Sequence, residues 1–88
     1  MNKELILFTT PTCHACPQMK SIYNELKQEV TGVRFNDPIN AHTDEGVIFA
    51  RKHRVMSVPT LIYLVDGMQV GRLNGLQNKE DVLEMMGR

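Results

Sequence analysis

Two cysteines three positions apart, Cys13 and Cys16, stand between a short apolar run and an amphipathic helical pattern. They limit what this chain can be. A chain of 88 residues has a small core, and small cores are often reinforced by several disulfides. Here the only intrachain pairing is Cys13 with Cys16. That bridge closes a tiny loop and removes little entropy from the unfolded state. The pair therefore points to thiol chemistry rather than to stapling. A zinc half-site is the bland alternative, but a closed zinc site needs four ligands. There is no second cysteine pair, and His42 and His53 show no pairing spacing. No metal is expected.

Composition narrows the class. Hydrophobic residues make up 42% of the chain and charged residues 23%, the balance of a globular protein. The length allows one domain, residues 1–88. Ten basic and ten acidic side chains cancel, which argues against non-specific nucleic-acid binding, a mode that needs a basic excess. The longest apolar run, Leu61 to Val65, is far shorter than the ~20 residues of a membrane helix. The run Leu5 to Phe8, after Met1-Asn2-Lys3-Glu4, is too short for a signal-peptide core. The expectation is a cytoplasmic monomer that engages neither nucleic acid nor membrane.

Periodicity gives an alternating series. Leu5 to Phe8 reads as a strand buried on both faces, broken by Thr9-Thr10-Pro11-Thr12. From about Ala15 to Val30, residues Met19, Ile22, Tyr23, Leu26 and Val30 follow helical spacing, and Thr31-Gly32 ends the helix. Val33 to Phe35 is a second strand, stopped by Asn36-Asp37-Pro38, with loop up to about Thr43. A helix follows from about Asp44 to Arg54, capped by Thr43 or Asp44, with Val47, Ile48 and Ala50 as inward candidates. Thr60 to Val65 is a strand, Asp66-Gly67 a hairpin turn, and Met68 to Leu73 the returning strand. Asn74-Gly75 turns again, and Asn78 caps a last helix whose Val82, Leu83 and Met86 face inward. The first strand–helix–strand unit should be parallel with a right-handed crossover. The result is an α/β fold: a four-stranded mixed sheet with three helices on both faces.

A Cys-x-x-Cys between strand and helix is chemically specific. The thiolate, not the thiol, attacks a disulfide. A cysteine at a helix start faces unpaired N–H groups and the positive end of the helix dipole, both of which favour the anion. Cys13 would sit there as the attacking sulfur. Cys16, one turn further in, would be more buried and would release the product. Pro17 is tolerated in a first turn, where its N–H would be unpaired anyway.

The segment Leu5-Ile6-Leu7-Phe8-Thr9-Thr10-Pro11-Thr12-Cys13-His14-Ala15-Cys16-Pro17 resembles the active-site segment of the thioredoxin and glutaredoxin proteins. Ser57-Val58-Pro59-Thr60-Leu61-Ile62-Tyr63-Leu64 is similar to their cis-proline loop and following strand, and Asp66-Gly67 and Asn74-Gly75 match their hairpin and glycine turn. The resemblance runs from residue 4 to residue 86. It implies a thioredoxin-like fold without the extra N-terminal strand and helix of full thioredoxins. It implies that Cys13 is the nucleophile and Cys16 the resolving thiol of a redox-active disulfide. Pro59 would be cis, and Val58 would offer its backbone N–H and C=O to a substrate strand. Thr12, His14 and Gly75 would complete the substrate-binding set.

The length and the N-terminal half resemble glutaredoxin, the C-terminal half thioredoxin. The glutathione turn of glutaredoxins, Gly-Gly-x-x-Asp-like, is replaced by Leu73-Asn74-Gly75-Leu76-Gln77-Asn78, with Asp81 nearby. The tryptophan that precedes the first cysteine of full thioredoxins is Thr12, and their buried aspartate is Leu7, with Asp37 a distant substitute. His14, when protonated, would stabilise a nearby thiolate. His42 and His53 read as surface residues. Arg51-Lys52-His53-Arg54 reads either as a solvated helix end or as a dock for an acidic partner. Met19, Met56, Met85 and Met86 read as packing.

The resemblance implies a dithiol–disulfide oxidoreductase that reduces protein disulfides, ribonucleotide reductase being a client by family analogy. It would be recharged by an NADPH-dependent thioredoxin reductase or by glutathione. No cofactor is needed, because the cysteines carry the electrons. The rivals are a glutathione-dependent glutaredoxin and a non-catalytic binding module on the same fold, such as a processivity subunit or a metal carrier.

Overall fold

The computed structural model describes residues 1–88. In chain order the elements are β1 (Lys3–Thr9), α1 (Cys16–Glu29), β2 (Arg34–Phe35), β3 (Ile39–Asn40), α2 (Asp44–Lys52), β4 (Thr60–Val65), β5 (Met68–Asn74) and α3 (Lys79–Met85). The sheet runs β2-β1-β4-β5, and β3 also pairs with β1. β1 is parallel to β2 and β3 and antiparallel to β4, which forms a hairpin with β5.

The continuous apolar run of β1 is explained by its two covered faces. Leu5 and Leu7 point into one core with Met19, Tyr23 and Leu26 of α1 and Val82 of α3. Ile6 and Phe8 point into the other with Ala50 of α2. β4 divides the same way, Leu61 and Tyr63 against Ile62 and Leu64. Alternation of side chains along a strand forces this split.

Two sequence expectations change. The stretch after Asn36-Asp37-Pro38 is not all loop, because Ile39 and Asn40 pair with Phe8 and Thr9. The edge is one position occupied by two short strands. Asn36 N–H still donates to Leu5 O at 3.1 Å, but Pro38 has no N–H to donate, and the ladder breaks around it. Ala41 N–H then donates to Thr9 O at 2.8 Å.

The second change concerns α2. Ile48 does not face inward; it is 68% exposed. The helix rests on Gly46 and Ala50, which are buried and lie on one face four residues apart. Ile48, midway between them in sequence, points away. A Cβ on Gly46 would collide with the Asn40 carbonyl, so this glycine lets α2 lie against β3. Thr43 caps α2 by accepting from Gly46 N–H at 2.9 Å, and Asn78 caps α3 by accepting from Asp81 N–H at 2.8 Å.

Tyr23 ties the helix to the sheet edge. Its hydroxyl lies 2.8 Å from Leu5 O and 2.7 Å from Asn36 O. Burial, with Asp37 and Glu4 adding to it, raises its pKa well above the ordinary tyrosine value. Because the folded-state pKa is raised, the tyrosine contributes fully below the unfolded value of about 10 and its contribution is lost as pH climbs toward the folded value. Tyr23→Phe should lower stability by about 1 kcal/mol at neutral pH. The gap should shrink in strongly alkaline urea titrations. A gap that stays constant up to pH 11 would contradict this account.

Candidate active site

The loop that leaves β1 turns back at once, with Cys13 N–H donating to Thr10 O at 3.3 Å. Cys13 and Cys16 form a disulfide whose Cα atoms are 5.4 Å apart. Cys13 is partly exposed, whereas Cys16, the first residue of α1, is 1% exposed. Pro17 occupies the first turn of α1, as expected.

The start of α1 differs from the other two helix starts. α2 and α3 each have a side-chain cap and acidic residues in the first turn. α1 has neither; its N-cap is Ala15. Met19 is the first residue of this helix whose N–H finds a backbone acceptor, Ala15 O at 3.0 Å. The positive end of the helix is therefore left uncompensated beside the cysteines, which favours a thiolate there.

The Val58–Pro59 bond is cis. Pro59 is buried, Val58 is half-buried, and Ser57 and Met56 are exposed. Two contacts hold this loop. Gly75 N–H donates to Pro59 O at 2.7 Å, and Thr60 Oγ1 lies 2.7 Å from Ser57 O. Gly75 has φ +82°, a conformation that favours glycine. Val58, Pro59 and Gly75 are thus brought together. Val58 shares a groove of about 330 Å³ with Thr10, and Ala41, Val47, Ala50 and Met56 also line it. Thr12 and His14 are exposed and lie outside that groove.

Leu7 is fully buried, and the buried polar residues are Thr9 and Thr60 alone, so no carboxylate lies in the core. Asp37 is exposed, and its charge acts on Tyr23. The expectation that His53 is a surface residue is corrected. It is half-buried beside Phe8, with ring centroids 6.1 Å apart. Burial lowers its pKa, with Lys52 and Arg72 contributing and Glu4 opposing. His42 is exposed, as expected, but it lines the groove.

Arg72 is a brace that the sequence does not reveal. Its guanidinium donates to His53 O at 2.7 Å and to Arg54 O at 2.6 Å, fastening the end of α2 to β5. No spacing rule links residues this far apart in sequence; the contact depends on sheet register. Thr10, Ala41 and Val47 were also missed as groove residues, because three separate elements bring them together.

The thioredoxin family model matches residues 1–88. The chain belongs to the thioredoxin family. A thioredoxin from Staphylococcus aureus is 32% identical over 85 residues, which cover 97% of this chain and 80% of that protein. Mitochondrial thioredoxin 3 from Saccharomyces cerevisiae, in its oxidized form, superposes with a TM-score of 0.84 at 24% identity, over 99% of this chain and 79% of the yeast chain. A Halobacterium salinarum thioredoxin gives a TM-score of 0.79 at 28% identity, over 94% of this chain and 70% of the other. With the Cys13–Cys16 disulfide in place, this thioredoxin-family protein is a thiol–disulfide oxidoreductase. Its substrates are protein disulfides, and a reductase returns it to the dithiol form.

Proposed function

We propose that Cys13 attacks and Cys16 resolves. The unequal exposure of the two sulfurs at an uncapped helix start supports this order. In the dithiol form the Cys13 thiolate attacks one sulfur of a client disulfide. A Cys13–client disulfide forms and one client thiolate leaves. Cys16, deprotonated, then attacks the Cys13 sulfur and expels the second client thiolate. The client gains two electrons, and the protein is left as the Cys13–Cys16 disulfide.

Val58 presents its backbone to an extended client segment, and Pro59 and Gly75 hold that presenting edge in place. Thr12 and His14 flank the attacking sulfur on the exposed side. With no buried carboxylate present, water takes the proton from Cys16. The protein works as a monomer in the cytoplasm, where an NADPH-dependent flavoprotein reductase recharges it. The position of Asp81 supports this choice over a glutathione-dependent enzyme. Asp81, on α3, lines a separate hollow with Leu73, Gln77 and Glu84, and does not line the groove that Val58 shares.

Insulin reduction tests the reading in two arms. Turnover is expected with thioredoxin reductase and NADPH, and little with glutathione, glutathione reductase and NADPH. Turnover confined to the glutathione arm would move the protein to the glutaredoxin reading. Failure with both, and with dithiothreitol, would leave a binding module.

A further inference from the structure

We infer that Arg51 makes the groove beside the disulfide selective for client segments that carry an acidic residue next to an apolar one. This rests on the proposed role of Cys13 and names the clients that role would serve.

The groove reaches the redox loop through Thr10, whose carbonyl accepts from Cys13 N–H. Val47, Ala50 and Val55 give it apolar walls, and Met56, 92% exposed, forms an adaptable rim. Arg51 lines the same groove, and His42 is the other ionisable residue there. None of the chain's ten aspartate and glutamate side chains lines it. Asp44 and Glu45 share α2 with Arg51 but stand in its first turn, whereas Arg51 is in the last.

Arg51 has no partner within the fold. The ion pairs of the chain both belong to Lys79, with Glu25 and Glu29. By contrast, Arg72 is consumed by the His53 and Arg54 carbonyls. That contact holds the loop after α2, and with it the backbone from which Arg51 projects. The basic run is therefore divided. Arg51 lines the groove that Thr10 and Val58 share, whereas Lys52, His53, Arg54 and Arg72 surround a separate shallow surface. A planar guanidinium with free donors at an apolar groove matches a carboxylate, which it can hold with two parallel hydrogen bonds. A client running from its half-cystine across Val58 would place an apolar side chain in the groove and an acidic neighbour at Arg51.

Symmetric peptide disulfides provide the test. Each peptide carries one cysteine, a nearby leucine and then Asp, Asn or Lys, and two copies are joined through their cysteines. The full-length reduced protein is mixed with each, quenched in acid, and the freed peptide thiols are quantified. The Asp peptide should react roughly 1.4-fold to fivefold faster than the Asn peptide, the range an exposed ion pair provides. The Lys peptide should be slowest, and the differences should shrink at high salt. Arg51→Gln should bring the Asp-to-Asn ratio close to one, and Arg51→Glu should reverse the Asp and Lys order. Lys27→Gln, on the last turn of α1, should keep the wild-type ratio. Equal rates on all three peptides, or an unchanged ratio in Arg51→Gln, would overturn the inference while leaving Cys13 as the nucleophile. No reaction with any peptide would overturn both.

Discussion

Cys16→Ser should accumulate a mixed disulfide with client proteins, and Cys13→Ser should trap almost none. Cys13 is the sulfur a client can reach, whereas Cys16 is 1% exposed. Serine at position 16 fits the same space but cannot attack a disulfide, so the first bond forms and the release fails. Reduced Cys16→Ser mixed with cell extract should recover clients that dithiothreitol then releases. Cys13→Ser loses the attacking thiolate itself, and insulin reduction should fall by at least about a thousandfold. Cys16→Ser also separates the two branches. A one-thiol glutaredoxin would still turn over glutathione mixed disulfides, whereas this protein should stall. Equal trapping by the two variants would show that the order of attack is wrong.

Leu7→Asp should produce the largest loss of stability. Leu7 is fully buried in the core formed with Met19, Tyr23 and Val82. Aspartate there removes apolar burial and leaves a carboxyl with no partner. The loss at pH 7 should be about 4 kcal/mol or more, a large share of the ~5–15 kcal/mol that holds a typical domain together. Burial raises the folded-state pKa of the new carboxyl above its unfolded value of ~3.9. The variant is therefore penalised least below about pH 4, and the gap to the parent widens as pH rises. Leu7→Asn, similar in size and uncharged, should show a gap that does not vary with pH. Urea midpoints for all three proteins between pH 4 and 8 decide this. Parallel curves for Leu7→Asp and Leu7→Asn would mean that the site is wetter than its burial indicates.

The parts of the fold that were legible depend on local physics. The two-sided burial of β1 is visible in Leu5 to Phe8, and the start of α1 in Ala15-Cys16-Pro17. β4 is bounded by the residues the sequence suggests, Thr60 and Val65. What was missed depends on contacts between distant segments. β3 has only two residues and no alternation to detect, and it exists because Phe8 and Thr9 offer it a partner. The inward face of α2 is hard to read at Ile48 because a nine-residue helix has few turns from which to read a stripe. Gly46 was the available signal: a glycine inside a helical pattern often marks close backbone approach. For the site, the cysteines and the Val58–Pro59 loop were visible as motifs. The groove was not, because Thr10, Ala41 and Val47 are ordinary residues until the fold assembles them.

The broken edge formed by β2 and β3 bears on how copies of this protein meet one another. An unpaired strand edge is a template on which a second chain can add and aggregation can begin. Here an incoming strand finds two residues of β2, then Asn36-Asp37-Pro38, then two residues of β3. The exposed charge of Asp37 and the missing N–H of Pro38 fall in the middle of that edge. No continuous ladder is on offer beside the redox loop. The interruption that hid β3 from view in the sequence thus also protects this side of the sheet from being extended by a neighbour.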